Sequence, residues 1–470
     1  MPTHKLATVW PLRQHVAVMA FPFGCHPLSL LKLVQKLAIA APHTHFSFFN
    51  TTSSNNSLFF TSTASDLPCN VKAYNVADGA PMNHIISGHS VERVELFMKA
   101  TPDNFREGLE IAMTEMGQIN CLITDAFLLF GGAIAEDLNV PWIPVWIPVP
   151  HSLSAHIYSD MIRKHYNINN LSSDNDSRDP ENILEKIPGL GELRIADLPD
   201  EVLLNETQES LLCYMLSQVG NVLPQASALV MNFYKELYST PLLDDLKTKF
   251  PSLLNVGFLT LSIPPCPLPL SNADATGCLS WLDSQKPTSV AYISFGTVVN
   301  IPSSEIVELA EALEETKLPF LWSLRDNLIS KLPQGFLDRT KLDGKVVPWA
   351  PQNQVLAHNS INVYITHCGA NSVYESMANG VPMICRPVFA DNRINARIVE
   401  DIWGIGVRID DGVFTKKGVI KSLELVLENE EGRRIRRKVH ALQQLVFKAA
   451  KANGHAAQDF KTLVEKCSLK

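Results

Sequence analysis

The chain lacks the signals that would commit it to a membrane, a nucleic acid or a nicotinamide. No stretch approaches the roughly 20 uninterrupted apolar residues that a membrane span requires. The nearest thing to a signal peptide, HVAVMAFPF at residues 15 to 23, is short, carries Pro22 and has no small-residue cleavage site. It reads as a first strand. There is no surplus of positive charge: 40 Lys and Arg against 48 Asp and Glu leave a net charge of −8. That balance argues against a polyanion-binding surface, so no nucleic-acid partner is expected. None of the nine cysteines falls in a C-x-x-C pair, and their odd number fits reduced thiols in a cytoplasmic protein. Cys121, Cys368 and Cys385 lie in apolar runs and read as small core residues. No strand leads into G-x-G-x-x-G, which disfavours a dehydrogenase, and no G-x-S-x-G marks a serine hydrolase. Repeats of the 20–50-residue class are also missing.

What is present is an alternation of strands and helices over 470 residues, a length that suggests two or three domains. The runs His15–Phe21, His45–Phe49, Cys121–Thr124, Trp142–Trp146 and Ala228–Phe233 read as strands, with a helical spacing of apolar residues over Leu28–Ala40. Alternation of this kind implies an α/β fold with parallel sheets covered on both faces. The proline-rich segment SIPPCPLPLSNADATG, residues 262 to 277, breaks the pattern and reads as a linker. The expected organisation is an N-terminal domain over 1–255, a linker over 256–278 and a C-terminal domain over 279–449. Residues 450–470 are helical. In the second half VAYISFG, FLWSL, VVPWA and INVYIT read as strands, with a helix from Ser303 to about Glu315.

In parallel sheets functional groups gather at the carboxyl ends of strands. His26 follows the first strand in FPFGCHP, and Asp125 follows CLIT directly. A histidine oriented by a carboxylate is a general base for a hydroxyl nucleophile. On the residues alone, His26 could equally cap a helix and Asp125 could be an N-cap. The densest stretch runs from Trp349 to Asn392, WAPQNQVLAHNSINVYITHCGANSVYESMANGVPMICRPVFADN. Within it the apolar run INVYIT turns through His367-Cys368-Gly369-Ala370-Asn371-Ser372 into a helix. The unpaired amides and the dipole at such a helix start favour a phosphate.

This stretch closely resembles, over its whole length, the 44-residue signature box of the plant secondary-product glycosyltransferases, which use UDP-sugars. The resemblance implies a GT-B fold, two facing Rossmann-like domains with the active site in the cleft, and a C-terminal helix folded back onto the N-terminal domain. It implies that Trp349 stacks on uracil, that Gln352 and Glu375 hold the ribose, and that His367, Asn371 and Ser372 contact the diphosphate. Asp391 and Asn392 would hold the sugar hydroxyls, Thr297 would donate to a phosphate, and Ala350 and Gly369 would complete the donor site. The family's catalytic dyad falls on His26 and Asp125. No metal or other cofactor is expected, the UDP-sugar being a co-substrate; Asp174-Asn175-Asp176 formally matches a metal-binding D-x-D but sits in a polar segment with no strand before it. A monomer is the default assembly.

Within the family, FPFGCHPLSLLKLVQKLA, FSFFNTT, CLITDAF, HSLSAHIYSD and TGCLSWLDS resemble the flavonoid 3-O-glycosyltransferases. In that group the position of His156 contacts the flavonoid, and Ala370 also occurs in HCGANS. The implied reaction is inverting transfer of a sugar to a flavonoid hydroxyl. Two departures bear on the sugar. Asn392 closes the box where glucosyl-transferring relatives usually have Gln, and Ile147-Pro148 replaces a hydroxyl residue that would meet the hexose 6-OH. An apolar wall there would cost a buried 6-OH about 1–3 kcal/mol, so the expected donor is UDP-rhamnose. The alternatives are a glucosyl- or galactosyltransferase, or an inactive UDP-sugar-binding scaffold.

Overall fold

Short apolar runs bounded by Gly, Pro and Asn become buried parallel strands. The computed structural model of the chain describes residues 14–60, 67–81, 90–166, 182–203, 211–238, 240–263, 274–296 and 301–468. The first sheet has seven strands: β1 (His15–Met19), β2 (His45–Thr51), β3 (Val71–Val76), β4 (Cys121–Asp125), β5 (Trp142–Trp146), β6 (Leu229–Met231) and β7 (Leu253–Asn255). Their order is β3-β2-β1-β4-β5-β6-β7. The second sheet has six: β8 (Val290–Ser294), β9 (Phe320–Ser323), β10 (Gly344–Val347), β11 (Ile361–Thr366), β12 (Met383–Cys385) and β13 (Gly406–Arg408), ordered β10-β9-β8-β11-β12-β13. Every pairing within the two sheets is parallel. Two facing-type α/β domains of this kind make the GT-B fold.

Helices cover both faces, so the central strands are apolar along their whole length instead of alternating with polar residues. β1 and β4 are buried at every position. The period of two still sorts their side chains: Val16, Val18 and Ala20 enter one apolar layer, Ala17, Met19 and Phe21 the other. The last helix, His455–Ser468, sets Leu463 and Cys467 into the layer that holds Val16. Its Asp459 accepts from the amide of Asn255 at the end of β7 at 2.8 Å. The chain's C-terminal helix therefore packs on the first sheet.

The strand orders place the functional edges. In the first sheet the winding reverses between β1 and β4, and in the second between β8 and β11. At such a reversal the loops leave in opposite directions and open a crevice beyond the carboxyl ends. His26 and Asp125 flank the first crevice. Gly296 and His367 flank the second. A buried ion pair joins the two domains to one side: Arg397 Nε donates to Asp197 Oδ2 at 2.8 Å, both side chains about 5% exposed. Among the described residues no helix is long and apolar enough to cross a membrane.

Candidate active site

Gly24, at a φ of 60°, turns the chain after Phe23 so that the helix His26–Ala40 can start at His26, with Pro27 in its first turn. His26 Nδ1 lies 2.8 Å from Asp125 Oδ2. A carboxylate only accepts, so Nδ1 carries the proton and Nε2 keeps its lone pair. The other Asp125 oxygen accepts from the amide of Phe127 at 2.9 Å, which fixes the carboxylate in rotation. The imidazole is 14% exposed and the carboxylate 1%. A base with one open nitrogen results.

Aromatic rings pack around the imidazole. Phe127 lies 4.6 Å from the imidazole and Phe21 5.4 Å. Trp146 packs edge-on against Phe127 at 5.8 Å, and His156 against Trp146 at 5.8 Å. In the row His26–Phe127–Trp146–His156 each ring is tilted against the next, and Trp146 and His156 are buried, so Phe127 is the apolar face left beside the imidazole for an aromatic molecule. His156 itself is enclosed in the helix Pro150–Ile157, and burial pulls its imidazole down to about 4. It stands at the back of the row as a neutral ring.

The second crevice holds the residues of the Trp349–Asn392 stretch. Trp349 is 53% exposed, an open indole face, with Ala350 buried beside it. Gln352 Nε2 donates to Glu375 Oε2 at 2.7 Å and to Ser372 Oγ at 3.1 Å. Its orientation is set from behind by the Tyr364 hydroxyl, which donates to Gln352 Oε1 at 2.8 Å. Burial pushes the Glu375 carboxyl up to about 7, against the hydrogen bonds from Gln352 and Thr260. His367 follows β11 and is flanked by two glycines. A Cβ at Gly296 would come within 2.9 Å of its ring, and one at Gly369 within 2.6 Å. Burial holds His367 down to about 4, so it is a neutral ring. Gly369 opens the helix Ala370–Ala378, whose first amides lack partners within the helix.

The two crevices meet. Asn371 Nδ2 donates to Ser29 Oγ at 3.1 Å across the domains. Burial raises the Asp391 carboxyl, and Asn395 Nδ2 donates to it at 3.2 Å and to Cys368 O at 2.8 Å. Asn392 is 4% exposed, and the amide orientation that satisfies its surroundings sets the nitrogen, as donor, 3.2 Å from the carbonyls of His367 and Phe389. It is occupied by its own backbone surroundings.

Ile147 corrects the expectation drawn from sequence. Its side chain is 1% exposed and continues the face of Ile143 and Val145, in the layer that also holds Leu30 and Leu463. Two residues beyond Val145 puts it on that core face, so it forms no apolar wall for the sugar. Thr297 and Asp174-Asn175-Asp176 lie outside the described residues. Among the described residues, no group of three or more His, Cys, Asp or Glu side chains is placed to hold a metal ion.

Sequence reasoning missed Phe127 and Tyr364. Phe127 had a signal, its place two residues after Asp125. Tyr364 carried a weaker one: a hydroxyl inside the buried run INVYIT must find a partner.

Known proteins similar to this chain fix its family and fold. Residues 268–442 match the family described as UDP-glucoronosyl and UDP-glucosyl transferase. The chain is 46% identical over 459 residues to anthocyanidin 3-O-glucosyltransferase 2 of Fragaria ananassa, covering 96% of this chain and 97% of that one. It is 42% identical over 452 residues to a flavonol 3-O-glucosyltransferase of Arabidopsis thaliana, covering 96% of each. The crystal structure of a UDP-glucose: anthocyanidin 3-O-glucosyltransferase in complex with UDP superposes with a TM-score of 0.90. Its identity is 45%, over 97% of this chain and 99% of that one.

Proposed function

The chain belongs to the plant UDP-sugar-dependent glycosyltransferases, in the flavonoid 3-O-glycosyltransferase group, and from that premise we propose that it transfers a hexose from UDP-glucose or UDP-galactose to the 3-hydroxyl of a flavonol or anthocyanidin. The observation that carries the reading is the His26–Asp125 pair at 2.8 Å, set in an aromatic row and facing the Ala370–Ala378 helix start.

The proposed chemistry follows from these positions. The acceptor ring lies against Phe127, and its hydroxyl gives its proton to His26 Nε2 as the oxygen attacks the anomeric carbon. The C–O bond to UDP breaks on the opposite face, so configuration inverts, by the logic of single displacement. Asp125 stabilises the imidazolium that forms. Charge arriving on the leaving diphosphate is met by the amides at the helix start, Ser372 and the neutral His367. These donors provide a metal-independent route. Trp349 takes the uracil, and Gln352 with Glu375 takes the ribose. We place the enzyme in the cytoplasm as a monomer.

A 6-deoxy sugar is the second reading, and one observation favours it. The Asn392 amide is short and engaged with His367 O and Phe389 O, so it offers less to a hexose hydroxyl than a longer amide would. The support once sought from Ile147 is gone. A donor panel decides: purified protein, kaempferol and cyanidin as acceptors, and UDP-glucose, UDP-galactose and UDP-rhamnose in parallel, with products resolved by mass. A dominant hexoside supports the proposal; a dominant deoxyhexoside overturns it in favour of the second reading. No transfer from any donor, with UDP still bound, would leave the scaffold reading.

A further inference from the structure

A directional chain of side-chain hydrogen bonds runs from the domain junction through the phosphate-binding helix start to the catalytic helix. It begins at Asn232, which is fully buried at the end of the first sheet, just past β6. Asn232 Oδ1 accepts from the amide of Leu259 at 2.8 Å. Its Nδ2 donates to Ile147 O at 3.2 Å and to Asn371 Oδ1 at 3.0 Å. Both ends of this amide are pinned by backbone groups, a donor on one side and an acceptor on the other, so it has one orientation only. That orientation dictates the next. With Asn371 Oδ1 held by Asn232, Asn371 Nδ2 must point to Ser29 Oγ, which it reaches at 3.1 Å. The Ser29 hydroxyl, now an acceptor from Asn371, donates onward to Cys25 O at 3.0 Å. Cys25 immediately precedes His26.

We propose that Asn232 and Ser29 are positioning residues for sugar transfer, which set the helix start at Asn371 and the base at His26 in one fixed register across the domain interface. This rests on the transfer reading above. Several features support a role beyond packing. The three side chains of the relay, Asn232, Asn371 and Ser29, are at most 8% exposed, so water offers them no ready substitute partner. The relay joins three parts of the chain, at Asn232, Asn371 and Ser29, that belong to both domains. It also uses one of the two Asn371 amide hydrogens, which leaves the other for a phosphate oxygen. The bond to Ser29 thus aims the remaining one. Inverting displacement needs the base, the anomeric carbon and the leaving diphosphate nearly in line, and misplacement by an ångström is costly. Loss of the relay should therefore slow the chemical step more than it weakens UDP, whose uracil, ribose and phosphate partners all lie on the second domain.

The test uses the full-length protein with saturating donor and acceptor, and compares wild type, Ser29→Ala, Asn232→Ser, the double variant and His26→Ala. Ser29→Ala leaves the helix backbone in place, because Cys25 O still accepts from the amide of residue 29 at 3.1 Å. Its expected kcat is about 3- to 10-fold below wild type, the factor one buried hydrogen bond is worth, with the calorimetric Kd for UDP within about twofold. Members of one network are non-additive, so the double variant should fall no more than about twofold below the worse single. An unchanged kcat in Ser29→Ala, or single losses that multiply in the double variant, would overturn the relay. If Asn232→Ser fails to fold, the kcat-against-Kd split in Ser29→Ala decides alone. Wild type that binds UDP but transfers nothing would sink the transfer reading and the relay with it, whereas transfer lost in His26→Ala but intact in Ser29→Ala sinks the relay only.

Discussion

Replacing Asp125 by Asn changes one atom and should nearly silence the enzyme. The carboxylate is held by two donors, the amide of Phe127 at 2.9 Å on Oδ1 and His26 Nδ1 at 2.8 Å on Oδ2. An asparagine must keep its oxygen on the Phe127 amide, because a backbone N–H cannot switch roles. Its NH2 group then faces His26 Nδ1, which has to become an acceptor. The imidazole proton moves to Nε2, and the open nitrogen can no longer take a proton from the acceptor hydroxyl. The rotated asparagine would restore the tautomer but set NH2 against the Phe127 amide, at about 1–3 kcal/mol for a buried unsatisfied donor. To this is added the lost carboxylate–imidazolium hydrogen bond in the transition state, about 1.5–3 kcal/mol. The sum, roughly 3–6 kcal/mol, corresponds to a fall in kcat of about 10²- to 10⁴-fold. Initial rates at saturating UDP-sugar and flavonol measure it, with UDP binding by calorimetry as control. The dyad touches no part of the nucleotide site, so Kd should stay within about twofold. A kcat within tenfold of wild type would refute the tautomer argument.

Glu375 predicts proton release on nucleotide binding. Its folded-state pKa is raised to about 7 by burial, so about half the sites are protonated at pH 7 in the free protein. Ribose hydroxyls donate best to the charged form, so UDP binding at pH 7 should expel about half a proton; calorimetry in two buffers of different ionisation enthalpy reads this, and a buffer-independent heat refutes it. Acid lability follows from three histidines. Burial holds His151 down to about 3 and His156 and His367 to about 4. A depressed histidine binds fewer protons folded than unfolded, so its stabilisation is full above pH 6.5 and is lost as pH falls towards the folded value. Between pH 6.5 and 5.5 each costs about 1 kcal/mol, and Glu375, raised, offsets about one of them. Chemical unfolding should show a net loss of about 2 kcal/mol over that unit, and a flat profile would count against the burial argument. Asp197→Ala leaves the Arg397 guanidinium buried with Asp401 as its remaining close partner at 2.6 Å. It should destabilise by about 3 kcal/mol in denaturant titration, and a change under 1 kcal/mol would show the pair to be dispensable.

The fold was legible because its central strands carry the whole signal. VAVM, CLITD, VAYIS and INVYIT are apolar enough to be nothing but buried strands, and each ends in a turn. β3 was missed for the opposite reason. VKAYNV includes Lys72 and Asn75, and it lies at a sheet edge where four of its six positions reach solvent. β7, β12 and β13 are three residues long, too short for periodicity to register. His26, Asp125 and the His367 turn were legible because strand-end polar residues stand out against apolar runs. The aromatic row was not, because a phenylalanine after a strand looks the same whether it lines a site or a core.

Ile147 and Asn232 show where one-dimensional reasoning reaches its limit. Ile147 sits one residue beyond the last residue of β5, where a side chain can face either the crevice or the core. Sequence offers no means of choosing, although the period of two from Ile143 through Val145 leads to the core. Asn232 has no neighbouring motif, and its partners Leu259 and Asn371 are 27 and 139 residues away. Its role exists only once two domains close on each other. Register within a sheet is written locally in apolar alternation, whereas register between domains is written in single buried polar residues whose partners fold elsewhere. In the proposed reaction, whose base and leaving-group site belong to different domains, the second kind of register is the one the Ser29 and Asn232 variants probe.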